Sequence, residues 1–555
     1  MSAAPTPGAQ ALAAEVSGAA LMDTLRHLAR FVKLAGTPAE LESLQGLQAR
    51  LTAYGYATEI VFHDAYVSLP GACRVTVDGR ALRAITHSMA LASPPGGTRG
   101  RLVHLGAGAE ADFAGRDLAG CILLVEGIAS PAVAARAARA GAVAQLHVSP
   151  HEHIHEMCIS PLWGSPSPET LAELPRSVAA SIDRAEGEAL IARLAAGEAP
   201  EVVIEAEIDA GWRPTPILVA ELEAPAGAEA PFILFSGHHD TWYEGVMDNG
   251  AANASMLEAA RLLAQHRADW KRGLRLCFWS GHSQGRYSGS AWYADEHWAE
   301  LDRRCAVHVN IDSTGGVGAT LLSNAPASPE LAGLAEAALQ AEAGQSFGGK
   351  RPARNADQSF HGIGLPSLFT TLSEQAPGGV AMRNALGWWW HTPDDRLDKI
   401  DEAHLVRDTR VYVHALWRLL SDPVLPLDYR GNAAALVAEV EALAGRLGAA
   451  LDLSALAAEA RALRDRAEAI ATLPAASRDA ALMRLSRSLV PLEQTGGDRF
   501  AHDAALPLPA YPALRPLHRL AAADAGSEAW QQAAVAARRC RNRLAEQLRL
   551  LRRAW

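Results

Sequence analysis

The sequence predicts an α/β fold: a mixed, mainly parallel sheet flanked by helices, with an inserted β/α unit and a helical C-terminal region. Three observations predict it. Between about 214 and 420, runs apolar throughout (FILFS from 232, LRLCFWS from 274, CAVHVNI from 305, LPSLFTT from 365) alternate with stretches of helical spacing. Strands apolar on both faces and separated by helices belong to parallel sheets covered on both sides. The stretch LAGCILLVEGIASPAVAARAARAGAVAQLHVS, 118–149, reads as a compact βαβ unit in a glycine-rich region of short strands. After Pro426 the chain turns Ala/Leu/Arg-rich, with helical periodicity broken by DAALPLPAYPALRPL.

Taken in order, residues 21–34 carry apolar positions at helical spacing. Thr37, Pro38 and Glu40 then supply an N-cap, a first-turn proline and a capping-box acid, so a second helix starts at Thr37. It ends near Gly55, and ATEIVFHDAYVSL follows as a strand. Further helices are expected over about 250–264 and after Gly285. The expected organisation is a sheet domain formed by 1–65 and 201–425, an inserted domain over 66–200, and a helical domain over 426–555.

Composition narrows the partners. The 555 residues carry 51 Lys plus Arg against 62 Asp plus Glu, a net charge of −11 with no long basic run. This argues against nucleic acid or an anionic membrane. The start, MSAAPTPGAQALAAEVSGAA, lacks a basic segment followed by an apolar one, and no apolar run is long enough to span a bilayer. A cytoplasmic protein is expected. Six scattered cysteines without a CxxC spacing fit reduced, buried thiols.

Ligands of such sheets bind outside the carboxyl ends of the strands. After FILFSG come His238, His239 and Asp240. At this spacing Asp240 is expected to hold the far nitrogen of the His238 ring while the near one meets a metal. Asp248 follows in a glycine-rich turn that opens a helix, where a carboxylate can bridge two cations. CAVHVNIDSTGG ends in Asp312, and WWWHTPDDRLDKID offers His391 with Asp394 and Asp395 behind it. Singly, such residues are solvated loop histidines and turn-forming aspartates. Together at one sheet mouth, His, Asp, Asp and His suit zinc.

These motifs, His238-x-Asp240, Asp248-Asn249-Gly250, FWSG with Gln284-Gly285, Asn310-x-Asp312 and His391-Thr392, resemble in order and spacing those of the co-catalytic zinc aminopeptidases, in their glutamate carboxypeptidase and transferrin receptor branch. The segment 66–200 resembles a protease-associated domain, and LMRLSRSLVPLEQTGGDRF with the last helices resembles the receptor-type dimerisation domain, which implies a homodimer. The resemblance implies that His238, Asp248 and Asp312 bind one zinc ion, and that Asp248 and His391 share another, normally completed by a glutamate. Family members read Gly-Glu-Glu after the FWS strand, the first Glu a general base and the second a zinc ligand. This chain reads Gly281-His282-Ser283.

Losing two carboxylates weakens the second ion's site, whereas the first keeps three ligands. His282 can accept a proton from water or coordinate a metal, but not both through one nitrogen. His151, His153 and His155 recur at spacing two, with Glu152 and Glu156 interleaved along the same stretch, and His153, His155 or Glu156 is expected to reach the cleft. Tyr243 and Trp390 are candidate walls, and Arg354, Asp357 and Arg383 candidate carboxylate readers. The reading is a zinc-dependent hydrolase, with one or two ions per chain, acting on an amide or peptide bond of a small molecule or short peptide, with His282 and Asp240 as catalytic groups. The alternatives are a catalytically silent, receptor-like binding dimer and a different metal-dependent reaction on the same fold.

Overall fold

The computed structural model describes residues 8–378 and 385–553. Its central sheet runs in the order Ser367–Leu368, Cys305–Asn310, Phe232–His238, Gly273–Trp279, Val202–Leu222, Ala57–Val77 and Arg80–Leu82. The first four strands are parallel, and Val202–Leu222 pairs antiparallel with both neighbours. Every residue of Phe232–His238, Gly273–Trp279 and Cys305–Asn310 is buried.

Alternation explains why both faces are apolar. Ile233, Phe235, Leu274, Leu276 and Phe278 pack on one face with Leu25, Leu44, Leu257 and Leu416, from the helices Gly18–Leu28, Pro38–Ala53, Ala252–Gln265 and Glu402–Ser421. Phe232, Leu234, Cys277 and Trp279 face the other way, onto Tyr293 and Leu301 of Ser288–Glu296 and Trp298–Arg304.

A second, five-stranded sheet takes the order Ala84–Thr86, Val178–Ile182, Ala144–Val148, Ile122–Glu126 and Leu102–His104. A long ribbon joins it to the first: Ala57–Val77 and Val202–Leu222 pair from Ala57 with Glu221 to Val77 with Val202. One strand therefore runs unbroken through residues 65 and 66. The helices Arg430–Leu447, Ser454–Ala469, Ala475–Gln494, Arg515–Ala522 and Glu528–Arg553 contribute to the same apolar core as the central sheet. Arg487, buried, donates to the carbonyls of Leu301, Asp302, Gly364 and Cys305, pinning the third of these helices to the root of the Asp312 strand.

Three local expectations are adjusted. Thr37 caps its helix, but Glu40 accepts from the Gly36 N–H at 2.7 Å, one residue ahead of the N-cap. LPSLFTT forms a ladder only at Ser367–Leu368, joined further along by a single bridge of Asp312 to Thr371. The helix expected from Gly250 begins at Ala252, because Val246–Ala251 forms one wide turn that carries Asp248.

Candidate active site

Register sets the site. His238 lies opposite Trp279 on one neighbouring strand, so those two ends finish level, and Ser236 lies opposite Asn310 on the other, whose strand ends two residues earlier and leaves the next two residues to reach Asp312. Asn249 ties the loops beyond them: its amide donates to the carbonyls of His238 and Ile311, and its oxygen accepts from the Ser313 N–H. The Asp248 turn is fixed from below by Asp395, whose two oxygens accept from the backbone of Met247 and Asp248 at 2.9 and 3.0 Å. Buried Lys33 donates to the carbonyls of Leu28, Phe31 and Glu244, holding the loop that leads into this turn. Burial pushes that ammonium down to about 8.

Asp248 stands between two imidazoles. Oδ1 is 3.0 Å from His238 Nε2, and Oδ2 is 3.0 Å from His391 Nε2. Asp312 Oδ1 is 3.7 Å from the same His238 nitrogen. The far nitrogens are spoken for: His238 Nδ1 donates to the Asp240 carbonyl at 2.8 Å and His391 Nδ1 to the Glu156 carbonyl at 2.7 Å. Both Nε2 atoms therefore point inward as ligand nitrogens.

His238 Nε2 and Asp248 Oδ1 are buried, adjacent, and in no hydrogen bond with each other or with anything else described. Two such atoms aimed at one space fit a cation between them better than a proton shared along a line. Burial opposes charge on His238, but the carboxylates of Asp248 and Asp312 raise it well above the ordinary histidine value. Burial likewise opposes charge on Asp248, and the nearby His238 and His391 imidazoles hold it below the usual carboxylate range. The positive charge these carboxylates favour is what a divalent ion supplies.

His282 completes the constellation. Its ring stacks on that of His238 at 3.7 Å and 13°, and its Nδ1 meets Asp357 Oδ2 at 2.6 Å. Ligand atoms of His238, His282 and Asp312 all lie within 4.8 Å of one another. Yet an imidazole lone pair lies in its ring plane, and two nearly parallel planes this far apart do not converge on one ion. Asp357 is fully buried and accepts from the Ser290 hydroxyl at 2.7 Å. Burial would raise its carboxyl, but His282 and Ser290 hold it low. The turn carrying His282 needs Gly281, at φ +76, where a Cβ would overlap the Ser288 hydroxyl.

Asp248, Asp312, His282, His391 and Trp390 all line one cleft of about 130 Å³, and the Trp390 ring stacks on His391 at 3.6 Å. Other expectations need correction. The Asp240 carboxylate does not hold the His238 ring, lying 4.0 Å from Nδ1. It accepts instead from the backbone N–H of His282 and Ser283, because the turn curls back over the strand end. His155 turns away from the cleft, its Nδ1 on the Trp390 carbonyl and its Nε2 on His151. Tyr243 is occupied by a hydrogen bond to Glu156, whose carboxyl burial pushes up to about 7. Arg354 stacks on Trp163 at 3.5 Å and donates to the carbonyls of Gln358 and Asp503 behind the cleft wall. Arg383 lies outside the described residues. The expectations did not foresee Asp357 as the His282 partner, nor Arg286 in the cleft wall. No spacing signals either, since Asp357 is 75 positions from His282.

Residues 218–416 match the family model for peptidase family M28. A probable glutamate carboxypeptidase of Zea mays is 24% identical over 241 residues, 39% of this chain, and the match spans only 32% of that relative's length. Among solved structures, an aminopeptidase from Aneurinibacillus sp. strain AM-1 aligns with TM-score 0.55 at 22% identity, over 74% of this chain and 95% of its own. A zinc aminopeptidase of Bacillus subtilis gives 0.57 at 18%, over 73% and 96%. A peptidase M28 precursor from Shewanella amazonensis SB2B gives 0.59 at 19%, over 74% and 95%. The parallel strands of the central sheet, and His238, Asp248, Asp312 and His391 gathered at their ends, thus lie in the stretch 218–416 that is similar to peptidase family M28.

Proposed function

We propose that the protein is a zinc-dependent hydrolase of an amide or peptide bond in a small molecule or short peptide, with His282 in place of the usual glutamate base. The observation that carries this reading is the unsatisfied pair His238 Nε2 and Asp248 Oδ1, 3.0 Å apart, with Asp312 beside it. These three residues would hold one ion; Asp248 Oδ2 and His391 would offer two ligands toward a second, in the cleft that Ser283 also lines. When bound, zinc supplies a Lewis acid toward the amide carbonyl and toward water.

The chain's own groups supply the rest. With its Nδ1 proton on Asp357, His282 presents an unprotonated Nε2 to the cleft, takes the proton of the attacking water and returns it to the departing amine. Asp240 acts as a positioning residue, holding the backbone of His282 and Ser283. Trp242 and Trp390 flank the cleft on the His391 side. A homodimer through the C-terminal helices rests on sequence resemblance alone. The six cysteines are all free thiols and no described helix is long and apolar enough to cross a membrane, both compatible with a cytoplasmic setting.

The test is metal content of the purified protein together with amide hydrolysis before and after chelation. About one zinc per chain and activity that vanishes with chelator and returns with zinc are expected. A protein that neither binds zinc nor turns over any amide is the silent binder that the loss of both glutamates favours.

A further inference from the structure

We infer that Arg286 is the anchor for a substrate carboxylate, so that the hydrolysed amide joins an apolar acyl arm to an amine fragment bearing a free acid. This narrows the hydrolase reading and rests on it. Arg286 lies four residues after His282 on the turn that replaces the glutamates, and its side chain lines the cleft while only 7% exposed. Its Nε has no hydrogen-bond partner, its Nη2 has a single long bond to the Ala505 carbonyl at 3.4 Å, and no carboxylate among the described residues pairs with it. A guanidinium this buried is ordinarily neutralised by an acid. Other buried arginines here follow the rule: Arg272 pairs with Asp479, and Arg275 with Glu221 and Glu300. Arg286 is the cation in the cleft wall left without one, and its planar fork suits a carboxylate.

Position fixes which end of the substrate it reads. The guanidinium carbon lies 4.8 Å from the Tyr287 ring centroid, and the His282 ring centroid lies 4.8 Å from the same point. Twice that distance, about 9.6 Å, is the most that separates guanidinium carbon from imidazole centre, a span of at most about three residues of extended chain. His282 is the group that returns a proton to the departing amine, so Arg286 stands beside the amine fragment. The wall beside His391 is apolar: Trp390 stacks on His391, and Met157 and Leu386 pack with Trp390. An apolar acyl group on the His391 side and an acid on the His282 side describe N-acyl amino acids and short peptides ending in a free carboxylate beside the scissile bond.

The experiment uses the zinc-loaded full chain and a panel of N-benzoyl amino acids, each matched with its carboxamide. Benzoate release gives kcat and KM, and calorimetry gives affinity independently of turnover. The expected result is a preference for acid over carboxamide of roughly 10- to 100-fold, carried mainly by KM. It collapses to near unity in Arg286→Gln and is largely kept in Arg286→Lys. Because the readout is a ratio within one protein, partial misfolding of a variant does not mimic it. Equal KM and affinity for acid and carboxamide in the unmodified protein, or no binding of any acid in the panel, overturns the assignment. If no panel member is hydrolysed in a chelator-sensitive way, the hydrolase reading fails, while calorimetry still decides whether Arg286 holds a carboxylate.

Discussion

Asp357→Asn tests the catalytic reading most sharply, because the surrounding hydrogen bonds dictate how the new amide sits. Trp163 Nε1 donates to Ser359 Oγ at 2.9 Å, Ser359 lies 2.8 Å from Ser290 Oγ, and Ser290 donates to Asp357 Oδ1. This chain of donors pins an acceptor at the Oδ1 position. An asparagine there keeps its carbonyl toward Ser290 and turns its NH2 toward His282 Nδ1. The proton of the neutral imidazole is then driven to Nε2, and the nitrogen that faces the cleft can no longer accept one. The lost charge-assisted bond alone is worth about 1.5–3 kcal/mol, or roughly 10- to 150-fold in rate. Tautomer inversion adds to it, and the corresponding carboxylate-to-amide change in a serine protease triad costs about 10⁴-fold. The expected outcome is therefore a fall in kcat of at least about 100-fold with KM, zinc content and melting temperature little changed. The assay is steady-state amide hydrolysis by the zinc-loaded variant, alongside metal analysis and thermal unfolding. A folded, zinc-bearing Asp357→Asn protein that keeps kcat within a factor of about three refutes the role of His282 as proton acceptor.

Further outcomes follow from other contacts. His238→Ala removes one of the three donors about the central space and is expected to strip the tightly bound zinc, so retention of one zinc per chain on metal analysis rules that site out. Ser283→Glu adds a carboxylate to the cleft lined by Asp248 and His391, and is expected to raise zinc from about one to about two per chain; an unchanged count means that those two ligands do not form a second site. Glu330 is buried where the helical region meets the sheet region, and burial, with Glu493 adding, pushes its carboxyl up from 4.5 to about 8. The folded chain thus holds a proton that the unfolded chain releases above its ordinary value, so stability falls as pH rises from about 4.5 toward 8, by at most about 1.4 kcal/mol per pH unit. Glu330→Gln is expected to flatten that slope in urea unfolding between pH 5 and 8, and parallel profiles for the two proteins count against it.

Much of the frame was legible in the chain itself. A strand apolar on both faces needs cover on both sides, so FILFS, LRLCFWS and CAVHVNI announce a buried parallel sheet, and the polar residues at their ends announce where its site lies. His238 and Asp312 stand at the ends of strands that local sequence defines, whereas Asp248 and His391 lie in turns and are singled out by the residue types beside them. What could not be read is partner choice. Asp240, two residues from His238, offered a natural orienting carboxylate, yet the ring takes the Asp240 carbonyl and the carboxylate takes the turn at 282 and 283. His155 was expected in the cleft by its periodicity, but the loop folds its ring onto His151 and the Trp390 carbonyl. The His282 and Asp357 pair and the unneutralised Arg286 exist only once distant turns pack together. Hydrophobic pattern acts along the chain at a period of a few residues and fixes which segments are buried; which polar atoms meet is settled by backbone positions in space, where an ångström decides between a carbonyl and a carboxylate.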